Sequence, residues 1–174
     1  MGAMSTEEPI IPHDPTRLRQ AWTNLVIEVF RLNGALLTSG DSLVSDLGLT
    51  SARWQVLGAM ALSPLPLPVA HIARNMGLTR QAVQRLVDEM RAEGLVRLEP
   101  NPHHRRAMLV VTTESGDAVY RAASERQERW AEVLTSGLQA AKFEAAGALM
   151  REMRGRLDEK ETPASKNQPQ TEGA

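Results

Sequence analysis

Apolar residues recur at helical spacing from Leu18 onward. Leu18, Trp22, Leu25, Val29, Leu32 and Leu36 alternate steps of four and three, which places them on one stripe of a long helix. Asp14-Pro15 supplies its start: a carboxylate can cap free N–H groups, and proline suits the first helical position. Gly40 is expected to end it. The stripe reads either as a core-facing face or as a contact for a second subunit, since the helix is long for a chain of 174 residues. A short segment, 41–47, follows. Thr50 is the expected cap of a second helix, with Trp54, Leu57, Met60 and Ala61 on its apolar side. The prolines of 63-SPLPLP-68 forbid a central strand and leave room only for a brief edge strand.

Two short helices come next. In 69-VAHIARNMG-77, Val69, Ile72, Ala73 and Met76 lie at i, i+3, i+4 and i+7, and Gly77 is the stop. Thr79 then caps 80-RQAVQRLVDEMRAEG-94, where Val83, Leu86, Val87 and Met90 repeat the spacing up to Gly94. Past Gly94 the period changes from helical to two. Val96 and Leu98 alternate with Arg97 and Glu99, and 107–112 returns as a second, antiparallel strand. Thr113 opens a further helix carrying Ala118, Val119, Ala122, Trp130, Val133 and Leu134. Gly137 breaks it, and a last helix runs from about Ala140 to Leu157 with Phe143, Ala146, Leu149, Met150 and Met153 expected to be buried. Residues 1–13 and 158–174 are polar and without periodicity, and are expected to be a flexible arm and a disordered tail.

Composition narrows the function classes. Aromatic residues make up 3% against 42% apolar, so the core is aliphatic, and there is no cysteine. That excludes disulfides, thiolate metal sites and cysteine nucleophiles, and it fits a reducing compartment. No apolar run approaches the roughly 18 residues a membrane helix needs, and no signal-peptide layout opens the chain, so a cytoplasmic protein is expected. The absence of a Gly-rich phosphate loop, a nucleophile elbow and paired carboxylates in an apolar run argues against an enzyme. The formal net charge of −1 announces no polyanionic partner. Local charge does. Between 71 and 106 stand Arg74, Arg80, Arg85, Arg91, Arg97, Arg105 and Arg106 against Asp88, Glu89, Glu93 and Glu99.

The order helix, tight Gly-containing turn, helix, hairpin is a winged helix-turn-helix. With Ile72, Met76, Val83 and Leu86 packed together, the second helix must project Arg80, Gln81, Gln84, Arg85 and Asp88 outward. Arginine can donate two hydrogen bonds to a guanine edge and glutamine can pair two-fold with adenine. The helix start at Thr79 can face a phosphate. The hairpin tip, 101-NPHHRR-106, offers His103, His104, Arg105 and Arg106 to an adjacent minor groove, where negative potential is focused. Two other readings of the tip are a solvated loop and a metal site. Adjacent histidines point to opposite faces of a strand, and the only others are His13 and His71, so no four-ligand metal set is in view. A winged helix used for protein contact without specific DNA binding is the alternative function.

The stretches 76-MGLTRQAVQRLVDEMRAEGLV-96 and 105-RRAMLVVTTESG-116 resemble the MarR family of transcriptional regulators, over about 14–157. The stretch 105–116 is similar to that family's wing signature, an Asp-Arg-Arg-Ala run leading through a strand to a Thr and a Gly. One position departs: His104 stands where the family usually has the Asp that orients a wing arginine. The resemblance implies a mainly α chain with a small β-hairpin wing. Residues 39–113 would form the DNA-binding domain, and 14–38 with 114–157 the dimerisation helices. It also implies a homodimer on a palindromic operator, a role as repressor, no cofactor, and often release by a small anionic aromatic or phenolic effector. For that effector, Trp22, Arg53 and Trp54 are the candidates, as an aromatic wall and a carboxylate clamp. Trp54 reads more simply as a core residue.

Overall fold

The structure, a computed structural model, describes residues 14–161 with the exception of Arg105. The expected arm 1–13 and residues 162–174 of the expected tail lie outside the described residues.

The first helix, α1, runs Pro15–Val44. Asp14 caps it, its carboxylate accepting from the N–H groups of Thr16 at 2.9 Å and Arg17 at 3.2 Å. Gly40 does not end this helix, contrary to expectation, and its role is close approach. A Cβ there would lie 2.4 Å from Ser51 Oγ, so only glycine lets the next helix come this near. Ser51 uses the gap: its hydroxyl donates to Leu37 O at 2.8 Å, and its N–H donates to Asp41 Oδ1 at 2.6 Å. The true stop comes after a 3-10 turn, Ser45–Leu47, at Gly48, whose φ of +70° lies in the left-handed region that glycine tolerates.

The second helix, α2 (Ser51–Ala61), is capped by Thr50 as expected. A brief strand, β1 (Leu67–Pro68), leads into α3 (Val69–Met76) and α4 (Arg80–Ala92). Two strands follow, β2 (Val96–Glu99) and β3 (Leu109–Thr112). The sheet is antiparallel with order β1-β3-β2, so the proline-bearing strand sits at an edge, where its missing N–H costs least. Leu98 pairs with Val110 in register. Val44, Val56, Leu57, Ile72, Val83, Val87, Met90, Val96 and Val110 are fully buried and form one aliphatic core beneath α2, α3, α4 and the sheet.

The wing is joined to the following helix, α5 (Glu114–Thr135), by a close contact. The Thr113 hydroxyl donates to Gly94 O at 2.6 Å and accepts from Gly116 N–H at 3.1 Å, while Thr113 N–H donates to Leu95 O at 3.1 Å. A Cβ on Gly116 would lie 2.0 Å from Leu95 O. The Thr and Gly of the wing motif are therefore the two halves of one joint.

The chain divides into two compact units at Glu128/Arg129. In the second unit α6 spans Ala140–Glu161, four residues beyond the expected end. Phe143, Leu149 and Met150, expected to be buried there, are exposed, Phe143 by 51%, and Ala146 is exposed as well. In the first unit the α1 stripe is open too. Leu18 is 57% and Trp22 43% exposed, and Val29, Leu32 and Leu36 are likewise uncovered. Helical periodicity fixes which side chains share a face; it does not supply the surface that covers it. Among the described residues no helix is long and apolar enough to cross a membrane.

Candidate nucleic-acid interface

The α3–α4 connection is set by three residues. Gly77 has φ +64°, and its N–H donates to Arg74 O at 3.2 Å. Leu78 N–H closes on Ala73 O at 2.9 Å, and the Thr79 hydroxyl accepts from Ala82 N–H at 3.2 Å. So one helix is terminated and the next capped within three residues. Val83, Leu86, Val87 and Met90 anchor the inner side of α4.

Its outer side presents Arg80, Gln81, Gln84, Arg85, Asp88 and Glu89 along one open surface. Gln84 Nε2 donates to Asp88 Oδ1 at 3.2 Å, and Arg85 Nε lies 3.9 Å from Glu89 Oε1. Arg80 has no carboxylate partner among the described residues. Glu89, which the sequence pattern did not single out, belongs to this face by helical position and to the protein interior by its other contact.

That contact is with Arg53. Its guanidinium grips Glu93 with two bonds, Nη1 to Oε2 at 2.8 Å and Nη2 to Oε1 at 2.7 Å, and Nη2 also reaches Glu89 Oε2 at 3.4 Å. The hydrogen bonds that Arg53 donates to Glu93 hold its pKa above its ordinary value, against a smaller opposing effect of burial. Arg53 thus ties α2 to α4. Trp54 is half-buried and faces Gly40 across the α1–α2 contact. Trp22 is eighteen positions further up α1 than Gly40, roughly 27 Å at helical rise, so one chain does not bring the two indoles together. The i, i+4 pair Glu89/Glu93 is visible in the sequence. That it meets Arg53 depends on the α2–α4 crossing.

At the wing tip Asn101 organises the turn. Its side-chain oxygen accepts from His103 N–H at 2.9 Å and its carbonyl from His104 N–H at 3.2 Å, while His104 O accepts from Ala107 N–H at 3.0 Å. An Asx turn therefore shapes the loop at the place where the usual aspartate is missing. His103, His104 and Arg106 are exposed, and Arg106 has no carboxylate partner among the described residues. Arg105 lies outside the described residues. Arg97, by contrast, is held on the sheet, donating to Thr112 O at 2.7 Å and to Glu99 at 2.9 Å.

A helix-turn-helix followed by an antiparallel hairpin, with arginine and glutamine along the second helix and a basic tip, defines a winged-helix DNA-binding protein. Comparison with known proteins gives the family. The model for the MarR family matches residues 47–107. An uncharacterized protein of Mycobacterium tuberculosis is 43% identical over 102 residues, 59% of this chain and 70% of that protein. The transcriptional activatory protein BadR of Rhodopseudomonas palustris is 30% identical over 107 residues, 60% of this chain and 61% of BadR. The structure of the transcriptional regulator MOSR of M. tuberculosis, solved in complex with DNA, superimposes with a TM-score of 0.63 at 20% identity, covering 75% of this chain and 96% of MOSR. The chain belongs to the MarR family of DNA-binding transcriptional regulators. Family and fold are those of regulators, not of enzymes.

Proposed function

We propose that this protein is a cytoplasmic, sequence-specific regulator that binds a palindromic duplex as a homodimer and acts as a repressor. The observation that carries the reading is the α4 face: Arg80, Gln81, Gln84 and Arg85 stand outward on a helix whose crossing angle is set by the Gly77 turn. The exposed wing residues His103, His104 and Arg106 support it, with Arg105 between them in sequence. Base-edge contacts specify and backbone or minor-groove charge holds. Arg85→Ala should therefore lose sequence preference, by about 1–3 kcal/mol for a bidentate contact. Arg106→Ala should weaken binding to all duplexes alike. Anisotropy titrations on a duplex selected from a random library, and on the unselected library, test both. Equal losses for Arg85→Ala would remove it from base recognition. Absence of any selected sequence would favour the protein-contact alternative.

The homodimer reading rests on the open apolar stripe of α1 and, separately, on the exposed Phe143, Leu149 and Met150 of α6. Apolar surface on this scale marks an interaction site. Light scattering at micromolar concentration should give twice the 19.1 kDa chain mass, and a monomer mass contradicts it. Repression follows if the bound dimer occludes the promoter. BadR is named an activatory protein, so a reporter gene read with and without the regulator decides the sign. We extend the reading to a small aromatic or phenolic anion as releasing ligand, at Arg53 and Trp54 with Trp22 supplied by the second copy. Such an anion must displace Glu93 from Arg53. Benzoate should then quench tryptophan fluorescence and release DNA in wild type, and do neither in Arg53→Gln.

A further inference from the structure

Arg85 is the side chain on the α4 face with an acid placed against its Nε, and the acid is itself held from behind. Glu89 splits its carboxylate between two arginines: Oε2 lies 3.4 Å from Arg53 Nη2 on α2, and Oε1 lies 3.9 Å from Arg85 Nε on the DNA-facing side. Arg53 is itself fixed by the two bonds to Glu93 and is only 15% exposed, so the rear contact belongs to the packed body of the domain. The contact to Arg85 is made at Nε. Neither terminal nitrogen, Nη1 or Nη2, makes a hydrogen bond among the described residues, and together they can match the O6/N7 pair of guanine.

We propose that Glu89 is a specificity-determining positioning residue, whose charge biases Arg85 toward the pose that turns its terminal fork to a guanine edge. The proposal rests on the DNA-binding reading above and assigns a residue behind it. Two consequences follow from the charge and the geometry. An arginine biased toward that pose loses less side-chain freedom on binding a base, so the ion pair favours the specific complex. A carboxylate beside the phosphates repels them whatever the sequence, so it weakens binding to specific and random duplex alike. Only the first effect raises the ratio of specific to non-specific affinity, and both disappear in Glu89→Gln. That variant retains the Arg53–Glu93 bonds and leaves the core untouched.

The test is a double-mutant cycle on DNA binding. A duplex is selected from a random library by the wild-type protein, and anisotropy titrations compare it with the unselected library for wild type, Glu89→Gln, Arg85→Ala and the double variant. Glu89→Gln should lower the specificity ratio about two-fold, the value of an exposed i, i+4 ion pair. It should also tighten binding to the unselected library. In the Arg85→Ala background the same change should leave the ratio unaltered. Glu93→Gln, which loosens Arg53 without removing the Glu89 carboxylate, serves as a control, and its ratio should fall less than that of Glu89→Gln. An unchanged ratio in Glu89→Gln overturns the proposal, as does an equal fall with and without Arg85. If the wild type selects no sequence, the regulator reading itself fails, a result distinct from either.

Discussion

Replacing Gly116 by alanine should be among the most damaging single-methyl additions in this protein. The Cβ would stand 2.0 Å from the Leu95 carbonyl oxygen and 3.0 Å from its carbon. Both are backbone atoms, so no rotamer change relieves the clash. The start of α5 must retreat by roughly 1 Å or more to regain van der Waals distance. That retreat pulls on the Thr113 N–H to Leu95 O bond and on the Gly94 O–Thr113 Oγ1–Gly116 N–H chain. Overpacking costs about 1–3 kcal/mol, and the three weakened hydrogen bonds together about 2 kcal/mol. The helical preference of alanine returns up to about 1 kcal/mol. The net loss is about 2–4 kcal/mol, a large share of the roughly 5–15 kcal/mol that holds a domain folded. Urea titration followed by circular dichroism, at fixed protein concentration, reads this as a lower midpoint with unchanged slope. Gly58→Ala is the control: its Cβ would meet Tyr120 at 3.8 Å, an ordinary contact, so stability should be unchanged or higher. A Gly116→Ala midpoint within about 0.5 kcal/mol of wild type, the usual range for surface substitutions, would refute the account of this joint.

Gly40→Ala should cost about 1–2 kcal/mol, because its Cβ drives the buried Ser51 hydroxyl from Leu37 O. The double variant with Ser51→Ala should be more stable than Gly40→Ala alone, which urea midpoints will show. Asp46 carries a pKa below its ordinary 3.8, first because Arg126 donates hydrogen bonds to its carboxylate. The stabilisation from this exposed pair is complete above about pH 3.8 and is lost as pH falls through the lower folded value. The stability difference between wild type and Asp46→Asn should therefore shrink on acidification, and a difference that grows would show the sign to be wrong. Converting His103 and His104 together to alanine should weaken DNA affinity, since both stand exposed at the wing tip. An unchanged affinity in an anisotropy titration would leave the histidines as ordinary loop residues.

Local rules carried the sequence a long way. Asp14, Thr50 and Thr79 cap helices as their chemistry dictates, and Gly77 and Gly94 adopt the left-handed conformations that stop them. The shift from helical to two-residue period after Gly94 marked the wing, and the proline-rich segment was confined to an edge. These features depend on residues a few positions apart, so they are written along the chain. Gly40 shows the limit. A glycine within an apolar stripe looks like a stop, and only the approach of Ser51, eleven residues later, reveals it as a contact point. The same holds for Arg53. Alone it is an available cation beside a tryptophan; in the folded chain Glu93 and Glu89, about forty residues away, claim it. The face of α4 was legible because one helix defines it. The contact from Arg53 to Glu89 behind it was not, because it exists only where α2 crosses α4. Periodicity tells which residues lie together on an element, and tertiary packing decides which of them meet, since contact energy depends on distance in space and the sequence records only distance along the chain.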